Sequence, residues 1–196
     1  MDGGNKMSQR ERRKRTYICL GITLIIIITA IIYCNKNSKV QAEEQEPIIN
    51  LEDVKIYYDV PLDFEVQDYL FEQCEKYDVP VELVLALIKK ESNFKANAIS
   101  KTNDYGLMQI NKVNHKWLKK QLGITDFLDA KQNILCGVYI LSGHLKAVDG
   151  DIHKALMQYQ FGIAGAKRLW RKNIYSSKHS RSVVKLYEQY KGNDNE

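Results

Sequence analysis

Glu91 ends the run Pro80-Val81-Glu82-Leu83-Val84-Leu85-Ala86-Leu87-Ile88-Lys89-Lys90-Glu91, which is almost wholly apolar as far as Ile88. A helix apolar on most of its circumference is a buried helix, so Glu91 is a carboxyl at the end of a buried element. Burial disfavours the charged form of a carboxyl, and a carboxyl that keeps its proton near neutral pH can act as a general acid. Ser92 follows directly. A short loop later comes Asp104-Tyr105-Gly106-Leu107-Met108-Gln109-Ile110-Asn111. Asp104 admits two readings: an aspartate just before a predicted helix is a favoured cap, and a second carboxylate near Glu91 is a candidate catalytic or substrate-binding group. Gln109 stands at helical spacing from Val113. An amide on an otherwise apolar face needs a hydrogen-bond partner, which favours a place in a cleft.

The elements that position these residues read as helices. Phe64, Tyr69, Leu70 and Cys74 have helical apolar spacing, ended near Tyr77-Asp78-Val79-Pro80 because proline restricts its predecessor. The buried helix 81–93 follows. A polar loop with Asn97, Ser100, Asn103 and Asp104 leads to a further helical segment after Gly106, closed by Gly123. Asp129 to Ala147 is a long amphipathic helix, Asp149-Gly150-Asp151 is a turn and cap, and Ile152–Phe161, Ala164–Lys172 and Ser180–Tyr190 complete the set. Tyr159 stands on the first of these last three. No stretch alternates in a strand period. The expected class is all-α, about seven short helices in one domain over residues 55–191, with a polar tail at 192–196.

The net charge of +5 is unevenly placed. Residues 1–16 carry six basic residues against Asp2 and Glu11, a net of +4, so the remainder is at +1. The basicity belongs to a tail and gives no support for nucleic-acid binding by the folded part. That tail precedes an uncharged, Ile-rich stretch, Tyr17–Cys34, long enough to cross a bilayer core as a helix. Basic residues on its N-terminal flank place the N-terminus in the cytoplasm and the rest of the chain outside. The rival reading is a signal peptide cleaved after Val40-Gln41-Ala42, and lipidation at Cys34 is a weaker third. Residues 35–54 are polar with a short acidic run and read as a stalk.

Cys19 and Cys34 are apolar filler in the uncharged stretch, while Cys74 and Cys136 are buried thiols or one disulfide. His115, His144, His153 and His179 have no metal-ligand spacing with one another or with the cysteines, and no Gly-rich phosphate loop is present. No metal and no cofactor is expected. Lys89-Lys90 and Lys119-Lys120 read as solvated surface.

The run Val81–Asn111 resembles the lysozyme-like domain of the soluble-lytic-transglycosylase (SLT) type, a family that cleaves the glycan strands of bacterial peptidoglycan. That family has a helix ending in Glu-Ser, a Gly-Leu-Met-Gln segment, an Ala-Tyr-Asn-x-Gly segment and a late tyrosine. Glu91-Ser92 and Gly106-Leu107-Met108-Gln109 match the first two. Gln158-Tyr159-Gln160-Phe161-Gly162 resembles the third, with Gln160 where asparagine is usual. The late tyrosine falls at Ser182 in the best register, with Tyr175 and Tyr187 nearby. The resemblance implies that Glu91 protonates the glycosidic oxygen and then takes a proton from the sugar's own C6 hydroxyl, releasing a 1,6-anhydro-muramic end. It implies that Ser92, Gln109 and Tyr159 orient Glu91 or hold N-acetyl groups, that Leu107 and Met108 help wall the cleft, and that Gln160 keeps a hydrogen-bonding role.

Asp104–Asn111 is also similar to the Asp-Tyr-Gly-x-x-Gln-Ile-Asn segment of animal c-type lysozymes, whose aspartate is the second catalytic carboxylate. A transglycosylase manages with one carboxylate because the substrate brings the nucleophile. A hydrolase generally needs two, about 5–5.5 Å apart if retaining and about 6.5–9.5 Å if inverting. The expected protein is therefore a membrane-anchored enzyme acting outside the membrane on the β-1,4 bond between N-acetylmuramic acid and N-acetylglucosamine. Its implied partners are peptidoglycan strands, the membrane and a secretion or conjugation assembly. The alternatives are a hydrolytic muramidase using Glu91 and Asp104, and a non-catalytic glycan-binding module of an envelope machine.

Overall fold

The computed structural model describes residues 24–33 and 57–192. The chain divides into two units, Met1–Lys55 and Ile56–Glu196. In the first, residues 24–33 form helix α1, whose apolar side chains are all exposed. Among the described residues no helix is long and apolar enough to cross a membrane. The expected span 17–34 extends past α1 at both ends into residues outside the description. The basic tail, the stalk at 35–54 and the Val40-Gln41-Ala42 site lie outside it as well.

The second unit is helical. Helix α2 (Phe64–Tyr77) ends at Asp78, which takes the left-handed conformation at φ 56°. Pro80 then opens α3 (Val81–Glu91). Every residue from Leu83 to Ile88 is completely buried, because α3 is enclosed on all sides, with α7 (Lys178–Gly192) along it and α2 beside it. Each fully buried Leu, Val or Ile contributes about 1.5–3 kcal/mol relative to exposure. The end of α3, and with it Glu91, is thus fixed by the core.

After α3 the chain forms a small hairpin of β1 (Asp104–Tyr105) and β2 (Ile110–Asn111), pairing Asp104 with Asn111 and Tyr105 with Ile110. A 3-10 turn at Lys112–Asn114 leads into α4 (His115–Leu122), closed by Gly123 at φ 72°. The helix expected directly after Gly106 therefore starts several residues later. Two left-handed residues prevent it: Gly106 at φ 76° and Gln109 at φ 49°. The turn between them is clamped from α5 (Ala130–Ala147). There the Asn133 amide donates to the carbonyls of Tyr105 and Phe127, each at 2.7 Å, and its oxygen accepts from the Met108 N–H at 2.8 Å.

Helix α5 begins just after Asp129, which caps it: the Asp129 side chain accepts from the Gln132 N–H at 2.9 Å. Helix α6 (Ile152–Trp170) begins likewise at Asp151 and is broken at Gly162, which stands at φ 68° and ψ 164°. The two helices expected at 152–161 and 164–172 are thus halves of one element about a glycine break. Cys74 and Cys136 are free, buried thiols. Burial pushes each up to about 12.

Candidate active site

Glu91 is the last residue of α3, and the backbone turns sharply after it. Ser92 closes the helix with its N–H on the Ile88 carbonyl at 3.1 Å, and its hydroxyl donates to the same carbonyl at 3.3 Å. Asn93 and Phe94 then take left-handed conformations at φ 52° and 64°. A bulky residue at such a φ is strained, and Phe94 is held there by burial in the core. The carboxyl of Glu91 meets the first turn of α7, with Oε1 lying 3.0 Å from Nε2 of His179. The two side chains are 19% and 13% exposed, so the pair is screened from bulk water but not sealed.

Asp104 has a different environment. It is the first residue of β1 and caps no helix; the capping there is done by Asn111, which accepts from the Val113 N–H at 3.0 Å. Its Oδ2 accepts from the hydroxyls of Ser100 at 2.6 Å and Thr102 at 2.5 Å, and its Oδ1 from the Asn111 amide at 2.6 Å. Burial pushes the Asp104 carboxyl up, but these three donors outweigh it and hold it below the usual carboxylate range. It is an ionised clasp that ties the loop before β1 to the far strand of the hairpin.

A cavity of about 980 Å³ opens between the hairpin, α4, α5 and α6. Trp117, Tyr139, Phe161 and Ile163 give it an apolar wall, and Asp104, Gln109, Gln158, Tyr159 and Gln160 supply polar groups. Glu91 is not among the lining residues. Tyr159 joins the two places: it lines the cavity, and the carboxylates of Glu91 and Asp104 both act on its phenol. Burial above all, then Glu91, Cys136 and Asp104, pushes that phenol well above the usual tyrosine range. Tyr159 is therefore a fixed O–H donor, and it donates to the Met108 carbonyl at 2.8 Å. A wide apolar-walled cleft with few polar groups is what ligand recognition uses, and Glu91 lies beside it behind Tyr159. Gln158 is 3% exposed, and its side chain lies against the His144 imidazole, whose basicity burial lowers and hydrogen bonding to Gln158 raises.

The family model of the transglycosylase SLT domain matches residues 68–183, more than half of the chain. The chain belongs to the transglycosylase SLT domain family. Among solved structures it is similar to the X-ray structure of an inactive mutant of lytic transglycosylase Slt from Pseudomonas aeruginosa, with a TM-score of 0.53 at 18% identity. The match covers 64% of this chain and 24% of that one, so this chain spans about a quarter of that protein's length.

Within the SLT domain the motif residues occupy two layers. Gln109, Tyr159 and Gln160 line the cavity with Asp104. Gly106, Leu107 and Met108 do not wall it: all three are buried, and Leu107 and Met108 are completely enclosed in the core beneath. A Cβ on Gly106 would collide with Asn133 and the Phe127 carbonyl, and one on Gly137 of α5 would collide with the Met108 sulfur. Packing thus requires a glycine at both positions. Gln109 is on no helix; its amide donates to the Gly106 carbonyl at 2.9 Å and the Ala98 carbonyl at 3.3 Å, bracing the turn. Gln160 accepts from the Ser177 hydroxyl at 2.8 Å, linking α6 to the start of α7.

None of the three positions for the late tyrosine reaches Glu91 by a hydrogen bond among the described residues. Ser182 donates to the Lys178 carbonyl, and Tyr175 is exposed and bonded to Asn173. Among the described residues neither they nor Tyr187 bonds Glu91. His179 does, and it was not singled out from the sequence. A signal was present: His179, Val183 and Tyr187 follow one another at i, i+4, i+8, which sets an ionisable group on the inward face of the last helix.

Proposed function

We propose that this protein is a peptidoglycan lytic transglycosylase that cleaves the β-1,4 bond between N-acetylmuramic acid and N-acetylglucosamine. In this reading the Glu91 carboxyl gives its proton to the glycosidic oxygen as the bond from C1 breaks. The C6 hydroxyl of the same muramic residue attacks C1, and its proton passes to the Glu91 carboxylate. The acid is regenerated, no water is consumed, and the product carries a 1,6-anhydro end. The observation that carries this reading is Glu91 itself, the last residue of the buried helix α3, inside the stretch that matches the transglycosylase SLT domain. A single acid–base carboxyl serves this reaction because the substrate supplies the nucleophile. The inactive Slt structure carries a glutamate-to-glutamine change, which is in keeping with a glutamate-based reaction in that relative.

The N-terminal stretch 17–34 would hold the enzyme at the outer face of the cytoplasmic membrane, where local opening of the wall would serve an envelope-spanning assembly. Resistance of the full chain to alkaline extraction from membranes, with the domain open to external protease, is the expected behaviour.

The deciding experiment is mass spectrometry of muropeptides released from sacculi. Anhydro ends, one water lighter than reducing ends, are expected; reducing ends alone would overturn the proposed reaction. Glu91→Gln should lower turnover by about 10²–10⁴-fold, the usual worth of a general acid.

A further inference from the structure

We propose that His179 is the positioning residue for Glu91: its Nε2–H holds Oε1, so that the proton exchanged with the sugar travels on Oε2. This rests on the reading of Glu91 as the acid–base group and goes on to say what keeps it in place. The contact spans 88 positions of sequence and joins the last residue of α3 to the first turn of α7 at 3.0 Å. Among the described residues Glu91 has no other side-chain hydrogen bond. Its carboxyl is therefore oriented by that bond within a partly buried setting.

The other ring nitrogen gains no bond from the position. Nδ1 of His179 is buried and has no partner among the described residues. With the proton on Nε2, the Nδ1 lone pair is left without a bond, which is unfavourable for a buried acceptor. Among the described residues no carboxylate or carbonyl backs the ring to fix its tautomer, as commonly happens when histidine serves a site. An apolar residue would fit the inward face of α7 without that cost, so the contact to Glu91 is what the imidazole contributes. Around it the fold is tight and independently supported: Ser180 is buried, accepts the Ser177 N–H at 2.9 Å and lies 3.1 Å from His153 Nδ1. The backbone of His179 is therefore anchored by its neighbour and does not depend on its own side chain.

The test uses the purified full chain in detergent, with solubilised glycan strands as substrate and His179→Phe and His179→Gln as variants. His179→Phe should lower kcat by about 10–100-fold, the range of a lost orienting contact, with KM within about twofold and the melting temperature unchanged or higher. His179→Gln offers an amide N–H of similar reach and should recover about tenfold over the Phe variant. Wild-type turnover in His179→Phe would overturn the proposal, as would a melting temperature that falls together with activity in both variants. Glu91→Gln is run alongside. If it is inactive while His179→Phe is not, only the role of His179 is lost; if Glu91→Gln is fully active, the reading of the site beneath it fails as well.

Discussion

At the scale of single residues, the two carboxylates differ in what they touch. Glu91 meets one imidazole and is otherwise open, whereas Asp104 is met by three side-chain donors. Asp104→Asn should therefore cost stability and leave the chemistry alone. Hydrogen bonds to a charged group contribute about 1.5–3 kcal/mol, and Asp104 is only half-buried, so a loss of about 1–2 kcal/mol is expected with anhydro products retained. The pH dependence follows from its lowered folded value. A depressed carboxyl contributes stability above the unfolded-state value of about 3.9 and loses it as pH falls through the folded value. The gap in melting temperature between wild type and Asp104→Asn should be full at neutral pH and close only below about pH 4. A turnover loss of about 100-fold or more in a stably folded Asp104→Asn would instead support the two-carboxylate hydrolase.

At the scale of elements, the site stands on a turn held from a distance. The turn 106–109 sits in the core, and Gly137 on α5 leaves the room that Met108 fills. Gly137→Ala should overpack this contact and destabilise by about 1–3 kcal/mol. It should also lower activity, because the Met108 carbonyl receives the Tyr159 hydroxyl. Gly143→Ala on the same helix meets nothing within 4 Å. It should be neutral or stabilising by about 0.5–1 kcal/mol, and urea denaturation of the pair separates packing from helix propensity. The same contrast explains what could be read from the sequence. Helix α3, the Asp129 and Asp151 caps, the Gly123 stop and the break at Gly162 are local, and their residues announce them. The hairpin at 104–111 is imposed by Asn133, more than twenty residues downstream, so its stretch reads locally as a helix approach. His179 matters only because α7 lies along α3, which no local pattern reports. Leu107 and Met108 were legible as important but not as core, since a motif gives position and not depth.

At the scale of the whole molecule, charge is segregated within the folded unit. Residues 57–151 hold 14 acidic and 11 basic residues, a net of −3, while residues 152–187 hold eight basic residues and no acid. Of those eight, Lys154 is paired with Asp151 at 3.0 Å, and Lys167, Arg168, Arg171, Lys172, Lys178, Arg181 and Lys185 are exposed. The first turn of α7 has no acidic residue although a helix N-terminus favours one, so Lys178 and Arg181 stand there against a small electrostatic cost. The cationic stretch is the one that carries His179 to Glu91, and a wall whose stem peptides bear free carboxylates would be drawn to it. Such long-range attraction between exposed charges is screened within about 8 Å at 0.15 M salt. Adsorption of the full chain to isolated sacculi should fall about tenfold between 20 mM and 300 mM sodium chloride. The double variant Lys167→Glu, Arg171→Glu should bind more weakly at low salt, match wild type at high salt, and keep the wild-type kcat. Adsorption indifferent to salt in both proteins would mean that the wall is held by the cavity alone, with no contribution from this face.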